Sequence, residues 1–281
     1  MNSWIRIVAG VGLLALGMAC ASPSPPRLPP LTATPSQLTT PGKFVWVDLV
    51  SGDVEASKSF YGELFGWTFR EGERYTEVLR DGAPIAGLLS TKEPGRRSEW
   101  VGSLSVPDVD RAAALVEERG GKIEREPVDA SERGRLALVR DPEGALVMLL
   151  RASSGDTPDA EPPVGAWLWR ELWSRDAKAA AEFYVALAGY GLEVIEHDGH
   201  PYHVLETGDV PRAGVFTAPK EVRPQWLPYV RVNDPKGMAE RAADLGARIV
   251  MYDDTAAVLV DPVGAPVGLQ LWPLPEGEGT R

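Results

Sequence analysis

Thiol and imidazole chemistry is scarce in this chain, which has one cysteine and three histidines in 281 residues. A single cysteine excludes an internal disulfide framework, a multi-cysteine zinc site and a Cys-x-x-Cys redox pair. Positive charge is also in deficit, with 29 Lys and Arg against 40 Asp and Glu and a net charge of −11. Nucleic acid and anionic lipid surfaces both call for clustered Lys and Arg, so neither is expected as the main partner. A long membrane-spanning run is missing at the N-terminus, where the uncharged stretch Ile7 to Ala19 (IVAGVGLLALGMA) stops short. A bilayer-crossing helix needs roughly twenty apolar residues.

That short run has the layout of a cleaved secretory leader over residues 1–19, with one positive charge, Arg6, before it and no acidic residue ahead of Cys20. Cys20 follows the small residue Ala19 and precedes Ala21 and Ser22. The setting resembles a bacterial lipobox, in which the thiol is acylated and becomes the new N-terminus. It departs from that pattern at Gly17, where leucine is preferred. Lipidation of Cys20 gives an otherwise partnerless cysteine a purpose, and implies a lipid-anchored protein of the cell envelope. With Ala21 after the cysteine, the outer membrane is expected if the organism has two membranes. Residues 20–42, largely SPSPPRLPPLTATPSQLTTPG, are rich in Pro, Ser and Thr and nearly uncharged. Such a stretch buries too little apolar surface to offset its ordering entropy, and is expected to be an extended tether.

The remaining body repeats itself. Asp53, Phe60 and Tyr61 recur as Asp176, Phe183 and Tyr184, displaced by 123 residues, and DPEGA from Asp141 recurs as DPVGA from Asp261, displaced by 120. Near-constant separation of two markers indicates a duplicated domain, over residues 43–152 and 164–273. A polar linker, 153–163, joins the copies and a short tail, 274–281, ends the chain. Each copy is double in turn. Four times an apolar strand leads to an aspartate (Asp53, Asp108, Asp176, Asp234) and then to a helical stripe, stopped at Gly66, Gly120 and Gly246 in three of them. The aspartates are explained as helix N-caps. Alternating segments with turn signals such as Arg80-Asp81-Gly82 follow each helix and read as antiparallel strands.

Strand, helix and about three strands, paired twice, with FY in the first helix and DPxG before the last strand, resemble the vicinal oxygen chelate superfamily of glyoxalases, bleomycin-resistance proteins and extradiol dioxygenases. The resemblance covers Lys43 to about Trp272. It implies an α+β fold of tandem domains, each two βαβββ units forming a curved mixed sheet around a cleft. It also implies metal ligands on the first and last strand of each unit. Carried over by spacing, the first-strand positions are Trp46, Val101, Trp169 and Leu227, and the last-strand positions are Ala86, Met148, Ala213 and Gly268. None of these side chains is a strong ligand for a divalent cation. No metal or other cofactor is therefore expected. The histidines fall together at His197, His200 and His203, where a hairpin tip accounts for them, with His203 able to reach a pocket.

Strand alternation turns Trp46 and Asp48 to the concave side of the first domain, with Val101, Ser103 and Ser105 from its second unit. In the second domain it turns Trp169, Glu171, Trp173, Leu227, Tyr229 and Arg231 that way. Each expected pocket is an aromatic wall with one carboxylate, the second with an arginine able to pair with Glu171 or with an anionic ligand. Three functions remain open. One is a metal-free binding protein for a small apolar or aromatic molecule, using Trp46, Asp48, Ser103, Trp169, Glu171, Trp173, Tyr229 and Arg231. Another is a metal-independent lyase, isomerase or hydrolase with Asp48 or Glu171 as general base. The third is a degenerate interaction module whose tryptophans fill the vacated cavity.

Overall fold

The computed structural model describes residues 27–91, 97–197 and 199–273. The leader, Cys20 and the C-terminal tail lie outside the described residues. Four units follow in chain order. The first is β1 (Phe44–Ser51), α1 (Val54–Phe65), β2 (Thr68–Glu71), β3 (Thr76–Arg80) and β4 (Ala83–Ser90). The second is β5 (Glu99–Ser105), α2 (Val109–Glu118), β6 (Lys122–Ala130), β7 (Gly134–Arg140) and β8 (Leu146–Ala152). The third is β9 (Trp167–Ser174), α3 (Ala177–Ala188), β10 (Gly191–His197), β11 (His200–Thr207) and β12 (Val210–Thr217). The fourth is β13 (Gln225–Val232), α4 (Pro235–Asp244), β14 (Arg248–Tyr252), β15 (Ala256–Val260) and β16 (Pro266–Leu271).

These make two eight-stranded mixed sheets of identical topology, β2-β3-β4-β1-β5-β8-β7-β6 and β10-β11-β12-β9-β13-β16-β15-β14. Within each unit the first strand pairs parallel with the last, and the first strands of two units pair antiparallel at the centre. All four helices start at an aspartate whose carboxylate accepts a backbone N–H three residues on, as at Asp53 to Ala56 (3.0 Å) and Asp234 to Gly237 (2.8 Å). α1 ends on Gly66 at φ 73°, the left-handed conformation that glycine adopts at least cost.

The helix-bearing faces of the two sheets meet. α1 packs on α4 and α2 on α3, so each main apolar cluster draws on both halves of the chain. Val47 and Leu49 of β1, for instance, share a core with Phe60 and Leu64 of α1 and with Ala239 and Ala242 of α4. The concave faces therefore point away from one another.

The repeated markers turn out to bind one half to the other. Tyr61 of the first FY pair donates to Asp261 of the second DPxG turn (2.8 Å) and accepts from the Trp100 indole (2.8 Å). Across the pseudo-twofold, Tyr184 donates to Asp141 (3.2 Å) and accepts from Trp226 (2.8 Å). Each aspartate also closes its own turn by accepting from backbone N–H groups, Ala145 and Ala265 among them. Burial outweighs these bonds and raises both carboxyls to about 6.

Part of the expected tether is not free. Residues 27–42 contain no helix or strand but lie along the first domain, with Leu31 buried, and Ser36 N–H donates to Ser154 O (2.8 Å). The Thr40 N–H donates to Asp156 (2.6 Å), so the start of the linker is packed as well. Composition alone missed this because the residues that anchor the segment lie about 120 positions away. Among the described residues no helix is long and apolar enough to cross a membrane.

Candidate functional site

A β-bulge next to Trp169 reverses the phase of β9, so that Trp167 faces the domain interface while Trp169, Glu171 and Trp173 share the concave face. β13 supplies Leu227 and Tyr229, paired with Glu171 and Trp169 across the strand boundary. The same bulge sits between Phe44 and Trp46 in β1, and gives Trp46 and Asp48 the equivalent places. The expected walls therefore exist on both sheets.

In the second domain they enclose a carboxylate saturated with neutral donors. Glu171 accepts from Trp173 Nε1 (2.8 Å), Tyr229 OH (2.8 Å) and Tyr202 OH (3.0 Å), and Tyr202 OH in turn accepts from Trp169 Nε1 (3.0 Å). Desolvation, with the neighbouring Glu171 charge, pushes both phenols well above their ordinary pKa, so they remain donors at any physiological pH. Phe216 meets Trp173 edge to face at 5.5 Å. A cleft of about 2380 Å³ opens here, lined by Trp169, Glu171, Trp173, Tyr202, Phe216 and Tyr229, and extends along the linker to Lys43–Trp46 and Ile85 of the first domain.

Two glycines make the arrangement possible. A Cβ on Gly214 would lie 1.7 Å from Tyr202 OH, and one on Gly268 would lie 2.2 Å from the Tyr229 ring. Each aromatic lies over the neighbouring strand because no side chain stands there. Tyr202 was missed from sequence, where it read only as part of the histidine hairpin. Its signal was its place beside Glu171's strand neighbour, Gly214, visible only once the register of β9 and β12 is known.

The first domain repeats the motif and closes it. Trp46 Nε1 lies 3.0 Å from both Asp48 Oδ1 and Tyr75 OH, and Tyr75 OH donates to Asp48 (2.7 Å). Arg133, from the turn between β6 and β7, lays its guanidinium over the Trp46 ring, 4.6 Å from the centroid, and donates to Tyr75 OH (3.1 Å). Its Nε donates to Pro29 O (2.7 Å), and Leu28 and Leu31 pack against Trp46. Trp46 and Asp48 are left 6% and 7% exposed. Burial raises the Asp48 pKa, against the opposing pull of Arg133, Tyr75 and Trp46. Ser103 lies buried beneath, opposite Trp46 and Met148. Asp48 thus has no open face from which to act as a base.

Two expectations need correction. Arg231 does not reach Glu171 or line the cleft; its Nη1 donates to Glu161 (2.7 Å) and to Pro162 O (2.6 Å) of the linker. β13 keeps its alternation through Arg231, but the long side chain is drawn to the linker carboxylate and carbonyl beyond the end of β9. Ala86 and Ala213 face the helices, and the concave positions beside Asp48 and Glu171 are Gly87 and Gly214, one residue further on. The odd-numbered units carry no DPxG turn, so the spacing there had no anchor.

The donor chemistry at the concave positions does not suit a divalent cation. Trp, Val, Leu, Met and Gly stand where ligands would be needed, and each domain's carboxylate is already bonded to indole and phenol groups. Among the described residues no three His, Cys, Asp or Glu side chains converge. His197 and His200 pair at the tip of the β10–β11 hairpin, while His203 is buried with its Nδ1 unpartnered and borders the cleft.

Comparison with known proteins follows the same lines. Residues 43–149 match the family model of the Glyoxalase/Bleomycin resistance protein/Dioxygenase superfamily. The chain is 30% identical over 237 residues to "Putative glyoxylase CFP32" of Mycobacterium tuberculosis, covering 78% of this chain and 91% of that protein. It is 30% identical over 263 residues to the anthracycline biosynthesis protein DnrV of Streptomyces peucetius, covering 84% and 95%. Among solved structures, the Mn(II)-bound glyoxalase from Novosphingobium aromaticivorans superposes with a TM-score of 0.57 at 20% identity, covering 83% of each chain. The 2,2',3-trihydroxybiphenyl 1,2-dioxygenase of Sphingomonas wittichii RW1 gives 0.56 at 15% identity, covering 83% of this chain and 91% of that one. At these identities the two structures speak to fold alone.

Proposed function

This chain belongs to the glyoxalase/bleomycin resistance protein/dioxygenase superfamily, and from that premise we propose that it binds a small aromatic molecule, without a metal, in the cleft of its second domain. The observation that carries this reading is the second concave face itself: Trp169, Trp173, Tyr202 and Tyr229 wall an open cleft around Glu171, where a metal enzyme would place its ligands. Apolar clefts with a few convergent polar groups are the usual form of small-molecule sites. The metal-dependent chemistry of glyoxalases and extradiol dioxygenases has no matching donor set here. The name of the Streptomyces peucetius relative points to fused-ring aromatic compounds as a first choice of probe.

The test is quenching of tryptophan fluorescence by a neutral anthracycline aglycone. One saturable site per chain is expected, weakened about two- to tenfold by Trp169→Ala, since stacking on an aromatic face is worth about 0.5–1.5 kcal/mol beyond area burial. Unsaturable quenching, or equal affinity in the variant, overturns the reading.

The site works at the cell envelope in this proposal, with Cys20 acylated after removal of the leader. Metabolic labelling with a palmitate analogue should mark the native chain and not Cys20→Ser. Equal labelling of both defeats the anchor.

A further inference from the structure

The first domain contains its own answer to what the second domain's cleft accepts. Trp46, Asp48 and Tyr75 correspond, strand for strand, to Trp169, Glu171 and Tyr202. Two bonds recur, indole to phenol at 3.0 Å in both, and phenol to carboxylate at 2.7 Å in one and 3.0 Å in the other; beyond these, Trp46 also donates to Asp48, whereas Glu171 accepts from Trp173 and Tyr229. In both domains the phenol reaches the carboxylate across a glycine, Gly87 or Gly214, whose Cβ would collide with it. The occupant differs as well. In the first domain the place above the indole is filled by the guanidinium of Arg133, 4.6 Å from the Trp46 centroid and hydrogen-bonded to Tyr75, with its charge set against the buried Asp48.

In the second domain the equivalent turn, between β14 and β15, is Asp253-Asp254-Thr255. No arginine comes from it. All three residues border the cleft, and Trp169, Glu171 and Tyr202 are half-buried where their counterparts are buried. The cationic side chains at the linker end of the same cleft, Lys43 and Arg212, are both held by Asp159, at 2.8 and 2.7 Å. Two further cations border the cleft, Arg170, which lies over the Trp167 ring at 5.1 Å and donates to Trp169 O (2.9 Å), and Lys178, which pairs with Glu182. Glu171 itself is bonded to neutral donors, with further carboxylates on the rim.

Building on the reading of this cleft as an aromatic site, we propose that its ligand is a planar organic cation, an amidine, a guanidine or a protonated aromatic amine. The charged group takes, over Trp169 and against Glu171, the place that Arg133 fills in the first domain. A cation stacked on an indole is favoured by the ring quadrupole, and more so when partly desolvated. A carboxylate beside it completes the recognition, as Asp48 does in the closed site. The rest of the ligand would extend along Trp173 and Tyr229.

The experiment uses the full chain and three probes of one shape: 2-naphthamidine, 2-naphthamide and 2-naphthoate, titrated by calorimetry. The expected result is one amidine site per chain, at least tenfold tighter than the amide, with the carboxylate weakest. Glu171→Gln should erase the tenfold preference for the amidine over the amide. Equal binding of amidine and amide by the native chain overturns the cation and leaves the aromatic cleft standing, whereas no binding of any probe overturns both. Arg133→Ala tests the equivalence directly. It should create a second amidine site per chain, and the amidine should restore part of the melting temperature that the variant loses. A folded Arg133→Ala chain that still binds a single amidine overturns the argument from the first domain. Should that variant not fold, Glu171→Gln, at a half-buried position, still decides.

Discussion

In the first domain Trp46, Asp48 and Tyr75 lie under Arg133, Leu28 and Leu31; in the second, Trp169, Glu171 and Tyr202 line a cleft of about 2380 Å³. Both triads share the chain from indole to phenol to carboxylate, so that chain does not decide which becomes a core and which a site. The decision lies in two peripheral features. One is the turn before β7, which carries Arg133, against the turn before β15, which carries Asp253 and Asp254. The other is the N-terminal segment, whose Pro29 carbonyl holds Arg133 in place, whereas the linker, Thr157 to Pro162, borders the second cleft. A duplicated fold can thus close one copy with its own side chains and keep the other for a ligand. The adjacent strands show the same exchange: Ser103 beside Met148 in one copy, Tyr229 beside Gly268 in the other.

The strongest way to break this comparison is to truncate the equivalent tryptophans. Trp46→Ala removes a buried indole that touches Arg133, Leu31 and Asp48, and should cost about 3–5 kcal/mol of unfolding free energy, as buried Trp-to-Ala changes do. Trp169→Ala removes a half-buried wall of an open cleft, and should cost about 1 kcal/mol. Urea unfolding of both variants compares them. Similar losses would mean that the second site is as closed as the first.

Much of this was legible in the sequence, for reasons that can be named. The four helices announce themselves by an N-cap aspartate, an apolar stripe and, in three of them, a glycine stop, all local signals that the structure keeps. Trp46, Asp48, Trp169, Glu171, Trp173 and Tyr229 were placed on concave faces because alternation holds within a strand. Arg231 was misplaced because its long side chain follows partners in the linker, Glu161 and Pro162, whose position no local pattern gives. Arg133 and Tyr202 were missed because their roles depend on what lies opposite them, Pro29 and Trp46 in one case and Gly214 in the other. The cross-domain partners of the FY tyrosines were missed for the same reason. Repeats show what recurs within each copy and not what one copy presents to the other.

Those tyrosines give the complementary test, in which the two halves should respond alike. Tyr61 and Tyr184 each donate to a buried aspartate of the other half and accept from an indole, so Tyr61→Phe and Tyr184→Phe should each cost about 1.5–3 kcal/mol, the usual worth of a hydrogen bond to a charged group. The loss should depend on pH in a defined direction. Asp141 and Asp261 have folded pKa values raised to about 6 from an ordinary 3.8, chiefly by burial. The folded state therefore binds protons more tightly than the unfolded one between those values, and stability falls as pH rises from about 4 to 6, then levels. The tyrosine hydroxyl opposes the shift, because it favours the ionised carboxylate. Removing it raises the aspartate pKa further, so that the fall continues beyond pH 6 in the variant after it has ended in the native chain. The deficit of either variant should accordingly be larger at pH 8 than at pH 5, by the same margin for Tyr61 as for Tyr184. Melting temperatures across that range measure it. A deficit that is flat with pH, or confined to one of the two tyrosines, would show that the interface does not share its buried charge evenly between the halves.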